Sequence, residues 1–86
     1  MDEIEQLRKK IDEIDDKIIS SLCERAKLCR EIGEAKKKYG IPIRNLAREN
    51  EVYQRIKEKA VLLGLDSDEI QAVYREIVNM CSSVQV

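Results

Sequence analysis

The sequence predicts an all-α fold of three helices, and three observations support this prediction. Three glycines and one proline are the only strong helix breakers among 86 residues, so good helix formers run uninterrupted over long stretches. The apolar residues recur at spacings of three and four, the period of a helix with one buried face. Aromatic residues are scarce, with three Tyr and neither Phe nor Trp, which leaves aliphatic side chains to form the core.

The first predicted helix runs from Asp2 to about Tyr39, and its apolar stripe is too long for one chain to cover. At 1.5 Å per residue the helix is roughly 55 Å long, whereas a compact domain of this size has a radius of gyration of about 12 Å. Burial against a partner is therefore expected. The stripe contains Ile4, Leu7, Ile11, Ile14, Ile18, Leu22, Leu28 or Cys29, Ile32 and Ala35.

An extended connection is predicted to follow over residues 40–44. Gly40 can end the first helix, and Pro42 prevents its immediate continuation. Asn45 is the predicted N-cap of a second helix that runs to about Leu63. The inner face of that helix carries Leu46, Glu49, Val52 or Tyr53, Ile56, Ala60 and Leu63.

The third helix is predicted between Gly64, which closes the second, and the last residues. Asp66 followed three residues later by Glu69 has the form of a capping box. Without internal repeats or a linker, residues 1–86 are predicted to form a single domain. The stripe of this helix is Ile70, Val73, Tyr74, Ile77, Cys81 and Val84.

The charge balance and the cysteines exclude several classes of function. Lys plus Arg total 16 against 17 for Asp plus Glu, so a general nucleic-acid or membrane binder is not expected. Cys23, Cys29 and Cys81 lack metal-ligand spacing, and histidine is absent; we expect no metal and no disulfide, but mostly buried thiols in a reducing cytosol. The acidic start resembles no leader peptide, so the predicted location is cytoplasmic.

Charged residues lie in the apolar rows of the first helix. Arg25 and Lys36 are eleven residues apart, a separation that returns to nearly the same side of a helix about 16 Å further along. Their side chains could converge on a small anion. The alternative is that their stems lie along the edge of the core with the charged heads in water.

The second helix and the start of the first carry two more charges of interest. Glu49 lies on an inner face, where it is either a ligand group, a solvated carboxylate, or a partner for Arg48 or Lys36. Arg8 precedes Arg25 by 17 residues, which is about 25 Å along a helix. Both arginines can serve one small-molecule site only if Arg8 comes from the other subunit.

The third helix places Gln85 four residues after Cys81 on its inner row. Gln85 is either a site residue or a frayed terminal side chain. Cys81, taken alone, is interpreted as a buried thiol of the core. Without histidine or a cysteine paired to a base, nucleophilic catalysis by a triad is excluded.

Short segments in a particular order carry a resemblance to a known family. They are LRKKIDEID at 7–15, ER at 24–25, GEAK at 33–36, IPIRN at 41–45 and RE at 48–49. Each is weak alone, but their order and spacing together are specific, and residues 4 to 85 follow the family without a gap. In these features the chain resembles the AroQ-class chorismate mutases.

The resemblance implies an intertwined helical homodimer that rearranges chorismate to prephenate in phenylalanine and tyrosine biosynthesis. This pericyclic Claisen step needs no nucleophile, metal or cofactor, so no cofactor is expected. Chorismate carries two carboxylates, and negative charge develops on the oxygen of the breaking ether bond in the transition state. The catalyst must hold the reactive conformer and place donors at that oxygen.

The family pattern also implies a role for each matching residue. Arg25 and Arg8 of the partner subunit would hold the carboxylates, Lys36 would reach a carboxylate and the ether oxygen, and Gln85 would give that oxygen a second donor. The implied catalytic residues are Arg25, Lys36, Glu49 and Gln85, and the implied substrate-binding residues are Arg8, Arg25, Lys36, Asn45, Arg48, Glu49, Cys81 and Gln85.

Two positions depart from the pattern. Glu49 would accept a hydrogen bond from the ring hydroxyl, with Arg48 beside it. Asn45 stands where an Asp is common in the family, and the site is expected to tolerate the Asn. Cys81 stands where a small hydroxyl residue can bind a carboxylate, and a thiol is a weaker donor. Gln85 requires its helix to be ordered to the last turn.

Other functions remain open at this point. An isochorismate-pyruvate lyase would share the fold and the cationic pocket, but lyases of this type lack a carboxylate at the position matching Glu49. A non-catalytic dimeric helical module explains the long first helix, yet it leaves Arg25, Lys36 and Glu49 on inner rows without a reason. The chain could also be the mutase portion of a larger enzyme; we expect a monofunctional one.

Overall fold

The computed structural model describes residues 2–86, so Met1 of the predicted domain lies outside the described residues. Within this range the chain forms three α-helices: α1 spans Asp2–Tyr39, α2 spans Leu46–Leu62 and α3 spans Ser67–Gln85. The all-α prediction is confirmed. Among the described residues, none of the helices combines the length and the apolar character needed to cross a membrane.

The two helix C-termini predicted from glycines follow one scheme. Gly40 and Gly64 have φ values of 66° and 75°, in the left-handed region that favours glycine. In each turn the N–H of the next residue donates to the carbonyl five residues before it, at 2.8 Å. These bonds satisfy carbonyls that the helix itself leaves without partners, and they confirm both predicted ends.

The predicted N-caps are also present. The side-chain oxygen of Asn45 accepts a hydrogen bond from the N–H of Arg48 at 3.0 Å. That of Asp66 accepts from the N–H groups of Asp68 and Glu69, both at 2.9 Å. Short polar side chains at these positions replace the missing helical acceptors, so the starts of α2 and α3 follow from local chemistry.

Helix α3 packs against both other helices, whereas the described residues of α1 and α2 do not pack on each other. Cys29 on α1 faces Cys81 on α3 with 5.4 Å between their Cα atoms, and four residues later on both helices Gly33 faces Gln85. Helices α1 and α3 therefore run parallel at this contact. The short turn at residues 63–66 folds α3 back on α2, which leaves a cleft between α1 and α2 with α3 as its floor.

The apolar core is small and lies between α2 and α3. Val52, Ile56 and Val78 are buried there, and the partly buried Tyr53, Ile70 and Tyr74 pack around them. Burying each aliphatic side chain contributes about 1.5–3 kcal/mol. This core belongs to the second half of the chain and contains no residue of α1. Helix α1 is held by its contact with α3, where its buried residues Cys29 and Gly33 lie in its C-terminal half.

The N-terminal half of α1 projects from the rest of the molecule. Its apolar stripe is 42–56% exposed from Ile4 to Ile18. The chain measures 57 × 24 × 15 Å with a radius of gyration of 16.2 Å, against about 12 Å for a compact chain of this length. One chain leaves its own stripe uncovered, as its spacing predicts.

Candidate active site

The cleft between α1 and α2 has a volume of about 260 Å³ and gathers residues from every part of the fold. Helix α1 and α2 form its sides, the 40–45 connection closes one end, and the last turns of α3 form its floor. Its lining residues are Arg25, Leu28, Cys29, Ile32, Lys36, Ile43, Asn45, Arg48, Glu49, Val52, Val78, Cys81, Ser82 and Gln85.

Seven of the eight predicted site residues line this one cleft; the exception is Arg8. Arg8 is exposed on the projecting half of α1, 17 positions before Arg25. Because about 25 Å of helix separates the two, Arg8 does not reach the cleft of its own chain.

Lys36 and Gln85 form the closest polar contact between α1 and α3. The Lys36 ammonium donates to the Gln85 side-chain oxygen at 3.0 Å and also to the backbone carbonyl of Ile43. An ammonium has three protons, so one remains for a ligand. Because the lysine can only donate, it turns the amide of Gln85 so that its nitrogen points elsewhere, toward the sulfur of Cys81 at 3.2 Å.

Gln85 is held in place by an unusually close approach of two helices. A Cβ built on Gly33 would lie 2.8 Å from the Cα and 2.9 Å from the Cβ of Gln85, closer than any side chain allows. Glycine is therefore required on α1 for the last turn of α3 to dock. Gln85 is only 8% exposed, so the alternative of a frayed terminal side chain is wrong.

Glu49 has a partner that the sequence did not indicate. Arg44 in the connection donates two hydrogen bonds to its carboxylate, at 2.8 and 3.0 Å, and the Glu49 side chain is only 13% exposed. Arg48 instead contacts Glu51 at 3.4 Å on the surface. The alternatives of a solvated carboxylate and of pairing with Arg48 or Lys36 are therefore both wrong in this structure.

Cys81 and Cys29 form a disulfide bond across the wall of the cleft, so the expectation of free thiols at these positions is wrong. Their helices bring the two Cα atoms to 5.4 Å, within the range that a disulfide spans; sequence spacing alone cannot reveal this. The disulfide has no S–H, so Cys81 cannot donate to a carboxylate. Cys23 is exposed rather than buried.

The remaining cation on α1 lies at the edge of the stripe. Arg25 is partly buried, and its guanidinium approaches the sulfur of Cys29 at 3.7 Å. Long, weak contacts of this kind leave most of its five N–H donors available. Arg25 therefore points into the cleft with capacity for a ligand, rather than lying with its head in bulk water.

The apolar walls of the cleft and one hydroxyl were missed by analysis of the sequence alone. Leu28, Ile32 and Val52 belong to the predicted helical stripes, so periodicity signals their burial but not their exposure to a cavity. Ile43 lies in the connection, and Val78 lies outside the predicted stripe of α3. Ser82 is adjacent to Cys81 and carried no signal of its own. The missed residues are Leu28, Cys29, Ile32, Ile43, Val52, Val78 and Ser82.

The electrostatics of the cleft favour an anion. Arg25, Lys36 and Arg48 line it together with a single carboxylate, that of Glu49, and Arg44 already neutralises this carboxylate through two hydrogen bonds. Arg25 and Lys36 therefore remain as cations in excess around a small space with apolar walls, while Arg48 lines the rim and contacts Glu51 on its exposed side. This arrangement suits a compact dianion with an apolar body.

Comparison with known proteins identifies the family of the chain. The profile of the family described as chorismate mutase type II matches residues 7–86. The chain is 42% identical over 88 residues to the bifunctional chorismate mutase/prephenate dehydratase of Aquifex aeolicus, covering 99% of this chain and 24% of that protein. It is 41% identical over 58 residues to the chorismate mutase of Methanocaldococcus jannaschii, covering 67% and 59% of the two.

A further relative is the T-protein of Enterobacter agglomerans, 34% identical over 76 residues that cover 88% of this chain and 20% of that protein. The chain thus spans between a fifth and three-fifths of the length of these relatives. The family match extends over nearly all of the helical fold and over every residue of the cleft. This chain belongs to the chorismate mutase type II family.

Proposed function

We propose that the chain catalyses the rearrangement of chorismate to prephenate. The observation that carries the proposal is the 3.0 Å contact between the Lys36 ammonium and the Gln85 amide, in a cleft that also contains Arg25 and Arg48. One cationic donor, Lys36, lies beside one neutral donor, Gln85, and guanidinium groups flank the pair. This arrangement matches a substrate with two carboxylates and a reacting ether oxygen. Family membership supports the same reaction.

The reaction is intramolecular: one C–C bond forms while the ether C–O bond breaks, and no group is exchanged with the protein. Negative charge develops on the ether oxygen as that bond breaks. Lys36 retains one ammonium proton, and the Gln85 nitrogen has one hydrogen beyond that directed at Cys81. Donors already fixed at a developing charge lower the barrier without reorganising at the moment of reaction.

The carboxylates of chorismate would bind to guanidinium groups. Arg25 reaches in from α1, and Arg48 lines the opposite side from the first turn of α2. Arg48 contacts Glu51 on the surface at 3.4 Å, so its planar donor fork would turn from that exposed contact to the ligand. Holding both carboxylates restrains the substrate in its reactive conformer, and such restraint removes part of the entropic barrier.

The ring hydroxyl of chorismate would donate to Glu49. Arg44 already donates one hydrogen bond to each carboxylate oxygen, and every carboxylate oxygen has room for a second donor. Arg44 thereby orients the Glu49 carboxylate without filling its capacity to accept hydrogen bonds. Asn45, whose oxygen is occupied by the helix cap, would offer its NH₂ group to the same part of the ligand.

A second copy of the chain would complete the site. The projecting half of α1 exposes a continuous apolar stripe, and the cleft lacks Arg8, the remaining arginine of the family pattern. Two chains that pack their α1 helices together would bury both stripes and bring Arg8 of the partner subunit to each cleft. We accordingly propose an intertwined homodimer in which residues 1–86 act as one domain per chain. From the biosynthetic role of the family we also propose a cytoplasmic location, where the Cys29–Cys81 disulfide would meet reducing conditions.

The experiment that tests the proposal is the conversion of chorismate by the purified chain, followed by the loss of chorismate absorbance. Product analysis must accompany it. Prephenate formed with saturable kinetics supports the mutase. A parallel assay in which isochorismate is converted to pyruvate and an aromatic acid would instead identify a lyase.

A binding measurement separates a mutase from a non-catalytic module. A bicyclic dicarboxylate that mimics the transition state should bind at one molecule per chain, because the cleft is complementary to that geometry rather than to the substrate. A folded dimer that neither turns over chorismate nor binds the mimic would contradict the proposed function.

A further inference from the structure

We propose that the Cys29–Cys81 disulfide is a positioning element for Gln85, an inference that rests on the proposed function. The bond joins α1 to α3 one helical turn before the contact between Gly33 and Gln85. The disulfide therefore fixes the register of α1 and α3 next to Gln85, the proposed second donor to the ether oxygen. Neither cysteine would act on the substrate directly.

The position of Gln85 makes such an anchor necessary. Gln85 is the last residue of α3. The last carbonyls of a helix have no partners within it, so terminal turns open easily. Gly33 has no side chain to hold the turn; it provides only the space for it. The covalent bond at Cys81 is the restraint nearest to Gln85 that does not depend on that turn being closed.

The sulfur atoms also touch the site itself. The Gln85 nitrogen donates to the sulfur of Cys81 at 3.2 Å, and the Arg25 guanidinium approaches the sulfur of Cys29 at 3.7 Å. Two thiols need more room than two bonded sulfurs, so reduction would push α3 away from α1 at this level. The displacement would be transmitted one turn further, to the pair formed by Gln85 and Lys36.

Reduction of the wild-type chain is the first arm of the test. Dithiothreitol supplies two electrons and two protons, leaving two thiols and its own cyclic disulfide. We expect kcat to fall on the order of tenfold to a hundredfold, as small misplacements of catalytic groups do. KM should change little, because Gln85 acts on the transition state rather than on the bound substrate. Reoxidation should restore kcat.

Variants separate the bond from other effects of the reductant. Cys29→Ala should show the low kcat whether or not dithiothreitol is present. Cys23→Ser is the matched control, since Cys23 is exposed and outside the bond, and it should keep the full response to reduction. If Cys29→Ala does not fold, the comparison of oxidised and reduced wild type still decides the question.

A second measurement does not depend on activity. Reduction should accelerate amide hydrogen exchange in residues 82–86 while leaving exchange in α2 unchanged. If reduction accelerates exchange in this way but the oxidised protein does not convert chorismate, the proposed function fails and the anchoring role stands. Three alkylatable thiols in protein purified without reductant, or a kcat that reduction leaves unchanged, would overturn the inference.

Discussion

Lys36 and Gln85 are 49 positions apart in the sequence, yet they form one hydrogen-bonded pair. Each side chain also has a second hydrogen-bond partner before a ligand binds. Lys36 donates to the carbonyl of Ile43, and Gln85 donates to the sulfur of Cys81. Both retain a hydrogen that is not used. Side chains held in this way lose little freedom on binding, which is the condition for a preorganised donor pair.

Replacing Lys36 by alanine removes the cationic donor of this pair. We expect Lys36→Ala to lower kcat/KM by at least about a hundredfold, the usual cost of losing one preorganised donor. Steady-state kinetics with chorismate measure this loss, and circular dichroism should show unchanged helicity. Lys37→Ala is the matched control because its neighbouring side chain is exposed and does not line the cleft. Equal losses in both variants would contradict the assignment.

Replacing Gly33 by alanine tests the close approach of α1 and α3. The added Cβ would meet the backbone of Gln85 at 2.8 Å, and overpacking of this kind costs about 1–3 kcal/mol. Alanine regains about 1 kcal/mol of helix propensity, so the urea midpoint should fall only modestly. The fall in kcat should be larger than in Glu34→Ala, an exposed neighbour. Undiminished kcat would show that α3 tolerates the displacement.

At the scale of the elements, each helix boundary is explained within a few residues of itself. The two left-handed glycines and the two capping side chains lie where local rules place them. The elements differ in what supports them: α2 and α3 share a small core, whereas α1 is attached through α3. The boundaries of α3 therefore matter for the position of the cleft floor.

Removing the cap of α3 should affect stability without affecting chemistry. Asp66 accepts two backbone hydrogen bonds and lies at the end of α3 remote from the cleft. Asp66→Ala should lower the free energy of unfolding by about 1 kcal/mol, as measured by urea denaturation at fixed protein concentration. Asp66→Asn keeps the acceptor and should recover most of the loss. A drop in kcat at temperatures where the variant is fully folded would show that the cap also positions the site.

At the scale of the whole molecule, one chain is incomplete in two respects. Its α1 exposes an apolar stripe along the projecting half, and its cleft lies about 25 Å along the helix from Arg8. The proposed dimer, in which α1 of a second chain lies along the first, would remedy both deficits. The exposed stripe and the distance of Arg8 from the cleft thus support the proposed dimer independently.

Mixed dimers test whether the site is shared. Arg8→Ala and Arg25→Ala should each be nearly inactive alone. Refolded together in equal amounts, they should regain about a quarter of the wild-type activity, because half of the dimers are mixed and each mixed dimer has one intact site out of two. Each variant refolded alone is the control. Mixed dimers that form, as shown by native mass spectrometry, but remain inactive would contradict the shared site.

The amino-acid sequence was sufficient to predict the three helices, their ends, the over-long α1 and half of the residues that line the cleft. These features depend on spacing along one helix or on caps a few residues away, and the helical period places Arg25, Lys36 and Glu49 on inner rows without reference to other elements. The family resemblance added Arg8, Asn45, Arg48, Cys81 and Gln85, and the structure brings all of these except Arg8 to one cleft.

The contacts between side chains of different helices could not be predicted in this way, because they depend on the tertiary structure. Cys29 bonds to Cys81, Arg44 rather than Arg48 pairs with Glu49, and Gly33 allows the end of α3 to dock with Gln85 buried. The period of a helix sets the direction of each side chain around its own axis, but not how far one helix is displaced along another. That displacement is set by the packing of α3 between α1 and α2, and the contacts of the site depend on it.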